Sequence, residues 1–362
     1  MIAGTKLNPD SQVADLSAAI KQYSLELGFS VCRITSADPP PHHANYKDWL
    51  DNGHSGEMEY LKRQEPKRSS PDAVLKGARS IICLAVNYAV ETGRPANTGN
   101  GNATAGTVAR YARYEDYHHR IWQMLDLIVQ RIDEIAPGVG SKAYCDTGPI
   151  TERDLAMRAG VGWIGKHTNL ISRELGNWFF LAEILTDAVL EIDVPETTHC
   201  GTCTRCIPAC PTGAITGPYL LDARKCISYL TIELKGSIPV EFRPLIGRRI
   251  YGCDECLAVC PWNKFAVEAN KRVLTQRDDL KEPDLVELLH LTEETFKTRF
   301  RGSPILRTKR RGFLRNVCVA TGNARLREAL PQLNHLVQHE PEELVKEHAQ
   351  WAIDQVLSVP AD

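Results

Sequence analysis

Eight of the twelve cysteines fall within the 61 residues from Cys200 to Cys260, and their spacing points to one chemistry. The run Cys200-Gly-Thr-Cys203-Thr-Arg-Cys206-Ile-Pro-Ala-Cys210-Pro211 is C-x2-C-x2-C-x3-C-P without a mismatch. In such a run the first three thiolates turn inward around one iron–sulfur cluster and the fourth reaches a neighbouring one. A partial repeat follows at Cys253-Asp-Glu-Cys256-Leu-Ala-Val-Cys260-Pro261, and Cys226 lies between the two. Two 4Fe-4S clusters, each on four thiolates, use all eight. The crossing rule assigns Cys200, Cys203, Cys206 and the distant Cys260 to one cluster, and Cys253, Cys256, Cys226 and Cys210 to the other. Paired C-x2-C units also bind zinc tetrahedrally, although zinc ribbons do not need a C-x3-C-P closing each half. Disulfides fit poorly, because cysteines this dense in a chain without a secretory leader suggest metal.

Other segments carry weaker signals. Asp146 ends a strand-like run and opens the turn Asp-Thr-Gly-Pro. It reads either as a turn aspartate capping the helix that starts near Thr151 or as a carboxylic acid delivering a proton beside a redox centre. Cys145 next to it points to the opposite face of the strand, and Cys32, Cys83 and Cys318 sit in apolar runs, so all four are expected in the core. His118 and His119 precede a long helix and read as exposed or capping residues. Gly160-Val-Gly162-Trp-Ile-Gly165 matches the dinucleotide fingerprint literally, but it follows a helix rather than a strand and leads into Lys166-His167. A dinucleotide site is therefore rejected, and the glycines are expected where backbone closely approaches a large ligand. Between Lys297 and Arg315 lie eight basic residues and no acidic one. That is either a solvated helix face or the footprint of phosphate contacts, which Lys235, Arg243, Arg248 and Arg249 could extend.

These groups need elements to position them. Apolar spacing predicts helices over 13–28, 44–63 (interrupted by Gly53 and Gly56), Tyr117–Ile135 and Thr151–Arg158. Strands are expected at Phe29–Ile34, Ser80–Tyr88, Ala143–Asp146 and Trp178–Leu185, with a Gly/Asn/Thr-rich loop over 91–107. The alternation argues an α/β or α+β domain. Beyond about residue 280 only helices are read, at Leu285–Leu291, Ile305–Val319, Arg325–Val337 and Glu342–Val356, stacked like a short HEAT-type repeat. Three domains follow: an α/β unit over 1–192, a two-cluster unit over 193–268 and a helical unit with a basic patch over 269–362. A formal net charge of −2 gives no general attraction to nucleic acid, so any such contact must be local. No stretch of about 18 apolar residues predicts a membrane span, and the residues from Met1 to Asp10 lack the apolar core of a signal peptide. A reducing, cytoplasmic setting and a monomer are expected.

Taken together, Cys-Asp146-Thr-Gly-Pro-Ile-Thr-Glu-Arg, Ala-Gly-Val-Gly-Trp-Ile-Gly-Lys-His-Thr-Asn-Leu and the two cysteine motifs resemble those of the epoxyqueuosine reductases, over nearly the whole chain. The resemblance implies an α+β architecture: an α/β cobalamin-binding domain, a ferredoxin-like domain with two 4Fe-4S clusters, and a HEAT-like tail. It implies a cobalamin-dependent enzyme that reduces epoxyqueuosine to queuosine at the wobble position of tRNAs with a GUN anticodon. By resemblance Asp146 is the proton donor, kept protonated by burial near the corrin. Arg68, Arg110, Leu170, Leu181, Ser228, Cys253 and Asp254 would lie near cobalamin, and Lys235 would touch tRNA. An external low-potential donor would send electrons through the clusters to cobalt. The tail is shorter than in some members. Competing readings are a reductive dehalogenase, which is usually exported, an electron-transfer module, and a tRNA-binding protein with structural clusters.

Overall fold

The computed structural model describes residues 9–89 and 103–358. The loop expected over 91–107 thus lies outside the described residues as far as residue 102, as does the chain start through residue 8. Four strands make the central sheet: β1 (Val31–Ser36), β2 (Ser80–Asn87), β3 (Ser141–Tyr144) and β4 (Phe179–Thr186). Their order is β1-β2-β4-β3, and every neighbouring pair is antiparallel, which makes the unit α+β.

Both faces of this sheet are covered, which is why β2 is an unbroken apolar run buried along its whole length. On one face lie α1 (Pro9–Leu27) and α2 (Tyr117–Ile135). Ile20 of α1 and Ile121, Leu125, Ile128 and Ile132 of α2 pack with Ile34, Leu84 and Ile184. On the other face α3 (Glu152–Arg158) sets Leu155 and Ala156 against Ile81, Cys83 and Leu185. The start of α2 is fixed by Asp116, whose side chain accepts from the His118 amide at 3.1 Å.

The C-terminal part is helical: α4 (Lys309–Ala324), α5 (Leu330–His339) and α6 (Glu343–Leu357) enclose Phe296, Phe300, Phe313, Val317 and Ala349. Two of the expected helices begin later than their apolar spacing suggests, because 3-10 turns at Pro304–Thr308 and Arg327–Ala329 come first. A short helix at Glu293–Arg299, opened by a Thr292 capping box, is an addition to the expected set. The cores cross the sequence-based boundaries. Val273 and Leu274 pack with α1 and α2, while Trp49 and Met58 pack against Ile227 and Leu230 of the cysteine-rich part. Among the described residues no helix is long and apolar enough to cross a membrane.

Candidate active site

The structure gathers the cysteines in two sets. The thiols that bear on Cys206 are those of Cys200, Cys260 and Cys203. Those that bear on Cys256 are Cys226, Cys253 and Cys210. Burial pushes the Cys253 thiol up to about 12 and Cys256 well above its ordinary value. Thiols held so high ionise only beside a concentrated positive charge, so the donor set fits iron clusters whose thiolate ligands are deprotonated outright. Ser228 is partly buried beside Cys226, and its side-chain and backbone hydrogen bonds partly offset the effect of burial there.

The Gly-rich motif braces this region through close approach of backbone to backbone. A Cβ on Gly160 would meet the Val194 carbonyl oxygen at 2.3 Å, and one on Gly162 the Ile171 oxygen at 2.1 Å. The close approach is therefore of the chain to itself. That packing aims Lys166 at the first cysteine loop, where its Nζ donates to the Gly201 and Cys203 carbonyls at 2.7 and 2.9 Å. Trp163 and Trp262 meet edge to face at 4.8 Å and pack with Cys200 and Cys260.

Asp146 follows β3 with a φ of 59°, the left-handed conformation that a short polar side chain tolerates. It does not cap the following helix. Thr151 is the N-cap and makes no side-chain cap bond, while the Asp146 amide donates to Glu152 Oε1 at 2.7 Å. The Asp146 carboxylate accepts from the Tyr117 hydroxyl at 2.7 Å and lies 3.6 Å from His118 Nε2. Tyr60, Tyr111, Tyr251 and Arg307 are close enough to feel its charge. Burial acts to raise this carboxyl, but its side chain is 59% exposed. The contacts from His118 and Tyr117, with the charges of His118 and Arg307, prevail and hold it below the usual carboxylate range. The expectation that Asp146 is kept protonated concerns the site with the corrin bound; in the chain by itself, these contacts outweigh burial.

Two further carboxyls lie behind it. Glu183 sits in the middle of β4, fully buried, and among the described residues its only side-chain neighbour within hydrogen-bonding reach is another carboxyl, that of Glu152. Burial, then the charges of Glu152 and Asp146, push it well above its ordinary value. Glu152 is lifted to about 8, by burial first and then by Asp146.

The other expected cofactor residues are scattered around this centre. Arg68 donates from Nη1 to the Ile150 carbonyl and from Nη2 to Gln64 at 3.2 Å. Its Nε and the Thr151 hydroxyl are buried without a partner. These two orphan polar groups beside the Asp146 turn fit a ligand rich in amides, as cobalamin is. Arg110 and Asp254 are joined to each other, the Arg110 amide donating to Asp254 Oδ2 at 2.7 Å, and the guanidinium stacks 4.4 Å over Trp178. Leu170 is buried in a two-residue strand paired with Ile164, and Leu181 is partly buried against the core beneath α3. Lys235 is exposed, and Arg307, Arg315 and Lys309 bear on it.

The basic run is less of a patch than its sequence suggests. Arg315 is buried, donating to the carbonyls of Leu234, Gly236 and Leu230. Arg310 pairs with Glu340, Arg299 with Glu287, Lys297 with Glu293 and Arg307 with Glu233. Cations of alternating helical turns point in different directions, and a linear count cannot show that. Sequence reasoning also missed His118, Glu152 and Glu183. The Asp116-x-His118 spacing at a helix start was a usable signal for the first, whereas nothing local marks the other two.

The chain is similar to known proteins over most of its length. A family model described as "Epoxyqueuosine reductase QueG, DUF1730" matches residues 68–147, and one described as "4Fe-4S double cluster binding domain" matches residues 199–263. The epoxyqueuosine reductase of Pseudomonas aeruginosa is 40% identical over 347 residues, covering 94% of each chain. That of Escherichia coli K12 is 41% identical over 343 residues, covering 94% of this chain and 90% of the relative. A crystal structure of an epoxyqueuosine reductase with a tRNA-Tyr epoxyqueuosine-modified stem loop superposes with a TM-score of 0.86 at 31% identity, over 94% of this chain and 90% of that one. The Bacillus subtilis enzyme, with its catalytic aspartate loop swung out of the active site, gives 0.85 at 30% identity over the same shares.

Proposed function

Since the chain belongs to the epoxyqueuosine reductase family, we propose that it reduces epoxyqueuosine to queuosine at the wobble position of tRNA. The observation that carries this reading is the placement of one carboxylate, Asp146, on a left-handed turn beside Tyr117 and His118, in a chain that also gathers two sets of four thiols. The two thiol sets would hold two 4Fe-4S clusters. Arg68, Thr151, Ser228 and the Arg110–Asp254 pair would hold cobalamin, which would supply the redox-active metal centre that the reduction needs.

The chain's own residues do the rest. Opening the epoxide breaks one C–O bond and leaves an alkoxide, which takes a proton from Asp146; the second C–O bond then breaks and the oxygen leaves as water, so that two electrons and two protons are consumed as the alkene forms. Glu152 holds the Asp146 backbone in place, and Tyr117 fixes the direction of its carboxyl oxygen. The movable catalytic loop of the B. subtilis enzyme supports the view that the Asp146 turn is held by these contacts and can be released. Lys235, Arg307 and Lys309 would meet the phosphates of the anticodon loop, and the splayed wobble base would enter between them and Asp146. This reading takes a GUN anticodon, an external low-potential electron donor, a monomer and a cytoplasmic setting with it. It also divides the chain into a cobalamin part over 1–192, a cluster part over 193–268 and a tRNA-binding tail over 269–362.

Expression in a bacterium deleted for its own epoxyqueuosine reductase tests the proposal. Nucleosides digested from its tRNA should shift from epoxyqueuosine to queuosine. If epoxyqueuosine persists although the chain is present and cluster-loaded, the reading fails.

A further inference from the structure

Both side-chain contacts of Asp146 fall on its Oδ2, and together they hold the carboxyl below the usual carboxylate range. Its carboxylate is the acceptor in both of its side-chain contacts, from Tyr117 and toward His118. His118 lies between two carboxylates. Its Nδ1 is 2.6 Å from Asp116 Oδ1, its Nε2 is 3.6 Å from Asp146 Oδ2, and its ring stacks on Tyr117 with centroids 4.1 Å apart. Asp116 is anchored as the N-cap of α2, so the imidazole has a fixed partner on one side and the reacting acid on the other. Asp116 and Tyr117 also line a cavity of about 450 Å³ with Glu115, His119, Arg120 and Arg272.

We propose that His118, held by Asp116, stores the proton that Asp146 passes to the substrate oxygen, and regains it between turnovers through the cavity that Asp116 borders. His118 is a positioning residue, acting through Asp146. In the step the His118 Nε2–H bond breaks as an Asp146 O–H bond forms. That O–H bond then breaks as the substrate hydroxyl forms, and no electrons move. A shift of a few tenths of an ångström closes the 3.6 Å gap to hydrogen-bond distance. The charged and titratable groups facing the pair are Asp116, Tyr117 and His119 at the start of α2, Cys145 after β3, Glu152 of α3, Glu183 of β4, Arg307 from the turn before α4, and Tyr60, Tyr111 and Tyr251. Burial pulls His118 down, but the contacts with Asp116 and Asp146 outweigh it and lift it to about 9. The shared proton therefore stays on the histidine at neutral pH and is lost only as pH rises through that value.

This inference rests on Asp146 as the acid of the proposed reaction, and the test separates the two. In protein carrying both clusters and cobalamin, the wild-type rate of epoxyqueuosine reduction should stay level from pH 6 to 8. His118→Gln keeps a donor near Asp146 but no exchangeable acid proton. Its rate should fall about tenfold per pH unit over that range and recover on acidification. Histidine 15N spectra of wild type should show His118 still doubly protonated at pH 8, and Asp116→Asn should move its titration downward. Parallel pH profiles for wild type and His118→Gln would overturn the inference, as would a neutral His118 at pH 7, which can be read even if a variant loses its clusters. Unchanged activity in Asp146→Asn would instead overturn the proposed role of Asp146.

Discussion

Glu183→Gln should make the protein more stable, increasingly so as pH rises. Glu183 is fully buried in β4, opposite Cys83 and Tyr144, with the Glu152 carboxyl beside its oxygens. Burial first, then Glu152 and Asp146, raises it well above the usual carboxylate value, so the folded chain keeps a proton that the unfolded chain releases. The sign follows from that difference. The stability linked to this proton is fully present below the unfolded value of about 4.3, and is lost by about 1.4 kcal/mol per pH unit as pH climbs toward the folded value. Glutamine has the same shape and never ionises, so it removes this loss, while its extra unpaired N–H gives back about 1–3 kcal/mol. Thermal unfolding of cluster-loaded wild type and Glu183→Gln, compared anaerobically from pH 5 to 8, reads the difference. The melting temperature of the variant should gain on wild type with each pH unit. A difference independent of pH, or one that shrinks as pH rises, would show that Glu183 is ionised in the fold and refute the reasoning.

Three more expectations concern the supports of the site. Glu152→Ala removes the acceptor of the Asp146 amide and should lower turnover by about tenfold to a hundredfold with cobalamin binding retained, while Glu152→Gln keeps an acceptor and should stay near wild type; steady-state nucleoside assays on both decide it. Arg315→Met strands the Leu230, Leu234 and Gly236 carbonyls and should cost more than about 3 kcal/mol in denaturant titrations. Gly162→Ala places a Cβ about on top of the Ile171 carbonyl, 2.1 Å away, and should abolish recovery of cluster-loaded protein as judged by bound iron.

Much of this could be read from the residues because the signals were local. The cysteine runs carry their ligand pattern in their spacing, β2 is a plain apolar run, and the apolar stripe of α2 gives its bounds as Tyr117–Ile135. What stayed hidden depends on contacts across long separations. Glu183 interrupts an otherwise apolar strand, and only the fold shows that it meets Glu152 of α3 and lies behind Asp146. Arg315 looked like part of a basic surface until α4 turned it inward onto the carbonyls of residues 230–236. The glycines from 160 to 165 signal close approach, but not to what; the partners proved to be Val194 and Ile171. The contacts on Asp146 stayed hidden for the same reason, since Tyr117 and His118 arrive from a helix that starts some thirty residues earlier.

The central claim is that Asp146 gives the proton in the reduction of epoxyqueuosine. The most direct measurement is a single turnover of Asp146→Asn, carrying both clusters and cobalamin, with an epoxyqueuosine-bearing anticodon stem loop and a strong reductant, followed by weighing of the nucleosides. No queuosine should form, while tRNA and cobalamin still bind as in wild type. Queuosine formed at the wild-type rate would contradict the account.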